Sequence, residues 1–177
     1  MRTILFGLLG LVAAAASTQE VVHQRQTMMK EIAEAMKEIN AMFRGSKPYD
    51  GMALSAAAET VRARAGDAML ELFAEGTVGN DSQALLEIWE RPEEFAELTG
   101  HLERLAAMVA EAGRARPDAF SDDMRMRPGT PMGGGGLLGG RGMAWPTEGE
   151  TVPAEHAFHL MMETCASCHS SFRLRRD

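Results

Sequence analysis

The chain is poor in the residues that most often build small stable domains by other means. Among 177 residues it has only two cysteines, one tyrosine and two tryptophans, and aromatics make up 6%. With Cys165 and Cys168 three residues apart, a disulfide between them would close no long loop, so a disulfide framework is excluded. Runs of β-branched residues are almost absent while alanine is abundant, which favours helix over sheet. A basic excess is also missing. The formal net charge is −7, which argues against a nucleic-acid partner and, taken over the whole chain, points to basic partners. No nucleophile–base arrangement, phosphate-binding glycine loop beside a strand or pair of carboxylates at a cleft can be read. An enzyme is therefore not expected.

Only one stretch is continuously apolar. Ile4 to Ala16 follows Arg2 and ends in Ala14-Ala15-Ala16, the pattern of a signal peptide over residues 1–16 cut before Ser17. A membrane span needs roughly 20 apolar residues, and this stretch is shorter. The mature protein, residues 17–177, is expected to be exported to the periplasm with no membrane-spanning segment.

Four stretches carry helical periodicity. They run from Thr18 to Phe43, Asp50 to Phe73, Pro92 to Ala112 and Pro153 to Arg173. Each places apolar residues three and four apart, the seam of a left-handed bundle. The expected fold is all-α, an antiparallel left-handed four-helix bundle. Residues 113–151 interrupt it with Pro128-Gly129-Thr130-Pro131, Gly133 to Gly136, Gly139-Gly140 and Gly142. This composition reads as a flexible Gly/Pro-rich insert between the third and fourth helices. It is either a tolerated surface insertion or a lid or docking segment using Met124, Met126, Leu137, Leu138, Met143 and Trp145.

The chemistry concentrates near the C-terminus. Cys165-Ala166-Ser167-Cys168-His169 is the attachment signature of c-type haem. Two thiols one helical turn apart can bond two vinyl groups on one side of a porphyrin, and the next histidine can meet the iron from that side. A thiol redox pair or a zinc site are the alternatives. The first wants a βαβ setting and a helix N-terminus, whereas this pair lies near the end of the last helix. The second wants further ligands; there is no second cysteine pair, and His156 and His159 lie two to three turns away.

The segment from Cys165 to Arg173, with an aromatic and a basic residue closing it, resembles the end of the class II cytochromes c, which comprise the cytochromes c′ and the cytochromes c-556. Arg25-Gln26, Lys47-Pro48-Tyr49-Asp50 and Glu87-Ile88-Trp89 match family landmarks in order. The resemblance implies one covalent haem c on Cys165 and Cys168, with His169 as proximal iron ligand. It places Met29, four residues after Arg25, on the distal side. There a methionine either ligates the iron, giving a low-spin electron carrier, or lines a pocket over five-coordinate iron that binds nitric oxide or carbon monoxide. Both outcomes remain open. The core use of Met28, Met36, Met42 and Met69 shows how freely this chain uses methionine as filler, and His23 is a weaker distal candidate. The resemblance also puts Arg25 and Gln26 near the haem propionates, Arg173 beside the proximal imidazole and Asp81 at a haem edge. It permits a homodimer through the first two helices. No redox partner can be named.

Overall fold

The computed structural model describes residues 18–77, 81–126 and 151–175. The signal-peptide reading of residues 1–16, and the greater part of the Gly/Pro-rich insert, lie outside the described residues. Six α-helices follow in order: α1 (Thr18–Phe43), α2 (Gly51–Arg64), α3 (Gly66–Leu72), α4 (Glu87–Glu90), α5 (Pro92–Ala115) and α6 (Ala154–Phe172). Among the described residues none is long and apolar enough to cross a membrane.

The 26 residues of α1 contain no glycine or proline, and Val22, Met28, Ile32, Ala35, Ile39 and Met42 recur along its buried face. It stops where Gly45 takes φ +71°, with Gly45 N–H donating to Met42 O at 3.1 Å and Ser46 N–H to Ala41 O at 3.0 Å. These two bonds satisfy the last carbonyls, and only glycine takes that backbone angle without cost. Asp50 then caps α2, its carboxylate accepting from Ala53 N–H at 2.9 Å. Pro92 occupies the first turn of α5, where no N–H is missed.

The second expected helix, Asp50 to Phe73, is divided in two. Ala65 is extended and Gly66 has φ +56°, so the chain turns between α2 and α3. A Cβ at Gly66 would also lie 2.2 Å from the Glu103 carboxylate of α5. A single glycine inside an apolar stripe gave no reason to divide the helix; contact with α5 decides it. Trp89 falls between the second and third of the four periodic stretches. It lies in α4 and donates its indole N–H to Phe73 O at 2.8 Å, tying down the end of α3.

α2 and α5 make the most extensive helix contact, followed by α5 with α6 and α1 with α2. The α2–α5 crossing is close enough that a Cβ on Gly113 would sit 2.5 Å from Gly51 O. The architecture is a four-helix bundle, with α2 and α3 together forming its second member. Phe158, Ile39, Leu54, Met161, Val61 and Val109 are its largest fully buried apolar side chains.

The stretch read from the sequence as a loose link beginning at residue 113 is ordered at its start. Helix α5 continues to Ala115, and residues 116–126 strap the end of the bundle. Phe120 packs 5.1 Å from Phe43 and 5.6 Å from Tyr49, Met124 is buried in a 3-10 turn, and Met126 N–H donates to Glu155 at 2.8 Å. The Tyr49 hydroxyl donates to Arg116 O at 2.6 Å. Apolar anchors that lie far from the turn residues in sequence hold the strap, so glycine and proline content alone could not show it.

Candidate functional site

α1 and α6 scarcely touch along their length. A cavity of about 810 Å³ lies between them, within the range of cofactor sites. From α6 it is lined by Phe158, Met162, Cys165, His169 and Phe172, a stripe with steps of four and three, and by Cys168 beside it. From α1 it is lined by Met29, Ile32 and Met36, while α3 and α5 contribute Met69, Phe95, Leu98 and Leu102. Four residues singled out in the sequence, Met29, Cys165, Cys168 and His169, therefore share one cavity. The floor is held by an aromatic series. Phe95 packs edge-on against Phe73 at 5.2 Å and against Phe172 at 5.3 Å.

The two cysteines do not pair in a disulfide, and both are half-buried. Burial pushes the Cys165 thiol up, and Cys168 is pushed to about 12 by burial and then by the neighbouring Cys165. A thiol redox pair needs the opposite, a depressed thiol. Zinc fares no better, because among the described residues no three His, Cys, Asp or Glu side chains are placed to hold a metal ion. Burial, and next the Arg173 charge, hold His169 below the ordinary histidine range. The neutral imidazole has a lone pair to offer a metal.

The other candidates separate. Met28, next to Met29, is buried in the core and does not line the cavity, whereas Met29 does. His23 is exposed and lies outside it. Arg25 lines the cavity but is buried and engaged elsewhere. Its Nε donates to Leu72 O at 2.6 Å, Nη1 to Thr77 O at 3.0 Å and Nη2 to the Thr77 hydroxyl, with the guanidinium 4.4 Å from the Phe73 ring centroid. Three of its five N–H donors thus serve the chain itself. Gln26 is exposed at the cavity and donates to Asp81 O at 3.4 Å; Asp81 is exposed and does not line the cavity. Arg173 lines the mouth, and its Nε and Nη2 both donate to Gln83 Oε1, at 3.0 and 2.8 Å.

Around Arg173 the chain is stapled. Leu85 N–H donates to Phe172 O at 3.0 Å and Leu174 N–H to Gln83 O at 2.8 Å, so residues 83–85 pair with the segment just after the cysteine–histidine motif. Sequence reading missed this fork of Arg173 on Gln83. Met36, read from the sequence as core filler, lines the cavity as well; it lies two helical turns after Met29 and so shares its face.

The cavity meets the needs of a haem on independent grounds. It is apolar, it presents two thiols one turn apart on one wall, and a neutral imidazole follows the second thiol. Comparison with known proteins agrees. A sequence profile of the family described as Cytochrome C′ matches residues 20–127, more than half of the chain. That match ends at residue 127, inside the 113–151 stretch, but a cytochrome c′ from Rhodopseudomonas palustris is 27% identical over 172 residues, 96% of this chain and 91% of that protein. A cytochrome c-554 from Cereibacter sphaeroides is 31% identical over 115 residues, 61% of this chain and 75% of that one. The crystal structure of the cytochrome c′ from Thermochromatium tepidum superposes with a TM-score of 0.64 at 22% identity, covering 92% of this chain and all of that one, a likeness of fold. The chain belongs to the cytochrome c′ family of class II c-type cytochromes, and its cofactor is a covalently bound haem c.

Proposed function

We propose that this protein is a periplasmic one-electron carrier in which Cys165 and Cys168 hold the haem by thioether bonds, His169 is the proximal iron ligand and Met29 is the distal one. The observation that carries the reading is the shared cavity: the motif on α6 and Met29 on α1 line the same space across a gap where the helices do not pack. Bound haem supplies a single iron that changes between ferric and ferrous states. The chain's own residues do the rest. His169 offers a neutral imidazole, Met29 a thioether, and Phe95, Leu98 and Phe172 exclude water. Arg25 fixes α1 against the end of α3, which holds Met29 at its depth one turn further along the helix. Export rests on the reading of residues 1–16.

A second reading follows from the relatives, one of which is a cytochrome c′ matched over nearly the whole chain. In it the iron is five-coordinate, Met29 lines the cavity without bonding, and nitric oxide or carbon monoxide binds there. Met36, Met69 and Met162 line the same cavity, so a methionine there need not be a ligand.

Absorption spectra of the ferric and ferrous protein, with and without carbon monoxide, separate the two. The electron-carrier reading expects a low-spin protein with a methionine-to-iron charge-transfer band in the ferric state. That band should be lost in Met29→Ala and kept in Met36→Ala. A high-spin wild-type protein whose spectrum changes at once with carbon monoxide would favour the gas-binding reading instead.

A further inference from the structure

The chain carries 25 acidic and 18 basic residues, yet among the described residues no carboxylate lines the large cavity, and the charged side chains that do are Arg25, Lys30, Lys37 and Arg173. Arg25 points its donors at backbone. The other three stand at the mouth. On α1, Gln26, Lys30, Ala33, Lys37 and Asn40 follow one another at steps of four and three, a single stripe that borders the cavity from end to end. Lys30 and Lys37 are two turns apart, about 10 Å along the helix, and both are exposed. That spacing is close to a Debye length at physiological salt, so with Arg173 they act on an approaching molecule as one cationic patch.

Glu31, Glu34 and Glu38, the acids that alternate with these lysines on α1, do not cancel it. Glu31 is drawn to Arg64 on α2 at 2.7 Å and Glu38 to Lys47 at 2.5 Å, both away from the stripe. Glu34 meets Lys37 at 2.7 Å, but both side chains are 72% exposed, and such a pair is weak and readily exchanged. Among the described ion pairs Lys30 and Arg173 have no carboxylate. The net charge of −7 therefore misleads about the one face through which electrons would pass. Whole-chain charge points to a basic partner, whereas the surface around the cavity is basic itself.

We propose that the mouth of the cavity, bordered by Lys30, Lys37 and Arg173, is the docking surface for an electron-transfer protein whose own contact face is acidic. The proposal rests on the electron-carrier reading. Attraction between the two faces raises the encounter rate, and salt weakens it.

The test is oxidation of the reduced holoprotein by ferricyanide, an anion, and by tris(phenanthroline)cobalt(III), a cation, across a range of ionic strength. One electron leaves the protein and converts ferricyanide to ferrocyanide or cobalt(III) to cobalt(II); no proton or covalent bond moves. The expected result is a ferricyanide rate that falls as salt rises, although protein and reagent both carry net negative charge, and a cobalt rate that does not fall. Lys30→Glu with Lys37→Glu should lower the ferricyanide rate at low salt by on the order of tenfold and abolish its salt dependence, with midpoint potential and spectrum unchanged. Arg104→Glu with Arg125→Glu, the same change in charge at exposed residues that do not line the cavity, should leave the slope in place. A ferricyanide rate that rises with salt would overturn the proposal. So would a Lys30/Lys37 variant with shifted potential or spectrum and an unaltered salt slope, which would assign the lysines to the carboxylates of the cofactor. Failure of the protein to react with either reagent would instead remove the electron-carrier reading, and the docking surface with it.

Discussion

Arg25 on α1 reaches past the end of α3 to donate its Nε proton to the carbonyl of Leu72 at 2.6 Å, with Phe73 beneath its guanidinium. A buried cation here does structural work: it answers carbonyls left over where α3 ends. Arg25→Met is expected to destabilise the fold by about 2 kcal/mol, the loss for hydrogen bonds from a charged donor. Arg25→Lys should recover little of it, because an ammonium cannot reproduce the planar fork. Urea denaturation measures both, and an unchanged midpoint for Arg25→Met would show that these bonds contribute nothing net.

Gly113 permits the close crossing of α2 and α5. An added Cβ would lie 2.5 Å from Gly51 O and 2.9 Å from Ser55 N, both backbone atoms that cannot swing away. Gly113→Ala should therefore cost about 2 kcal/mol or more as the helices separate. Gly45 makes a useful contrast, with open space around it but φ +71°. There the replacement by alanine should cost about 1 kcal/mol, through backbone strain alone. Thermal melts of the two variants would show that order.

Acid should weaken one surface link in a defined direction. Hydrogen bonds from Arg114 and then Arg62 hold Glu59 below the usual carboxylate range. Its contribution is thus present above the unfolded-state value, near pH 4, and is lost as pH falls through the lower folded-state value. Glu59→Gln should reduce stability at pH 7 by a small amount. The difference from wild type should close in strong acid, once the folded-state carboxyl is protonated too. A difference that stays constant with pH would mean that Glu59 acts by shape rather than charge.

Covalent attachment makes its own prediction. If both thiols carry thioether bonds, the unfolded holoprotein should give no reaction with a thiol reagent, and haem should stay with the chain through denaturing electrophoresis. Cys165→Ala with Cys168→Ala should lose the haem stain. Stain retained in the double variant would place the attachment elsewhere.

How far the site could be read in advance depended on the range of the interactions. Helix α1 ends where Gly45 says it should, and Asp50 caps α2, because these signals act within a turn or two. The Cys165, Cys168 and His169 cluster was legible for the same reason, since helix geometry alone sets three neighbouring side chains on one wall. Gly66 could not be read so. Its turn is set against Glu103, far along the chain. Nor could the bonds of Arg25 be read, because its acceptors, Leu72 and Thr77, lie some fifty residues away. The start of the Gly/Pro-rich stretch was misjudged since its composition is that of a loop, whereas Phe120 and Met124 find apolar partners only in the folded bundle.

The sequence by itself thus determined an all-helical chain with two thiols and an imidazole in haem-binding register, because those are consequences of periodicity and local chemistry. Only the tertiary structure decided that Arg25 reaches the carbonyls of Leu72 and Thr77, and that an acidic protein carries a basic rim at its cavity. Each of these depends on how α1 is rotated and placed against helices distant in the chain. That placement is set by packing, and no local pattern records it.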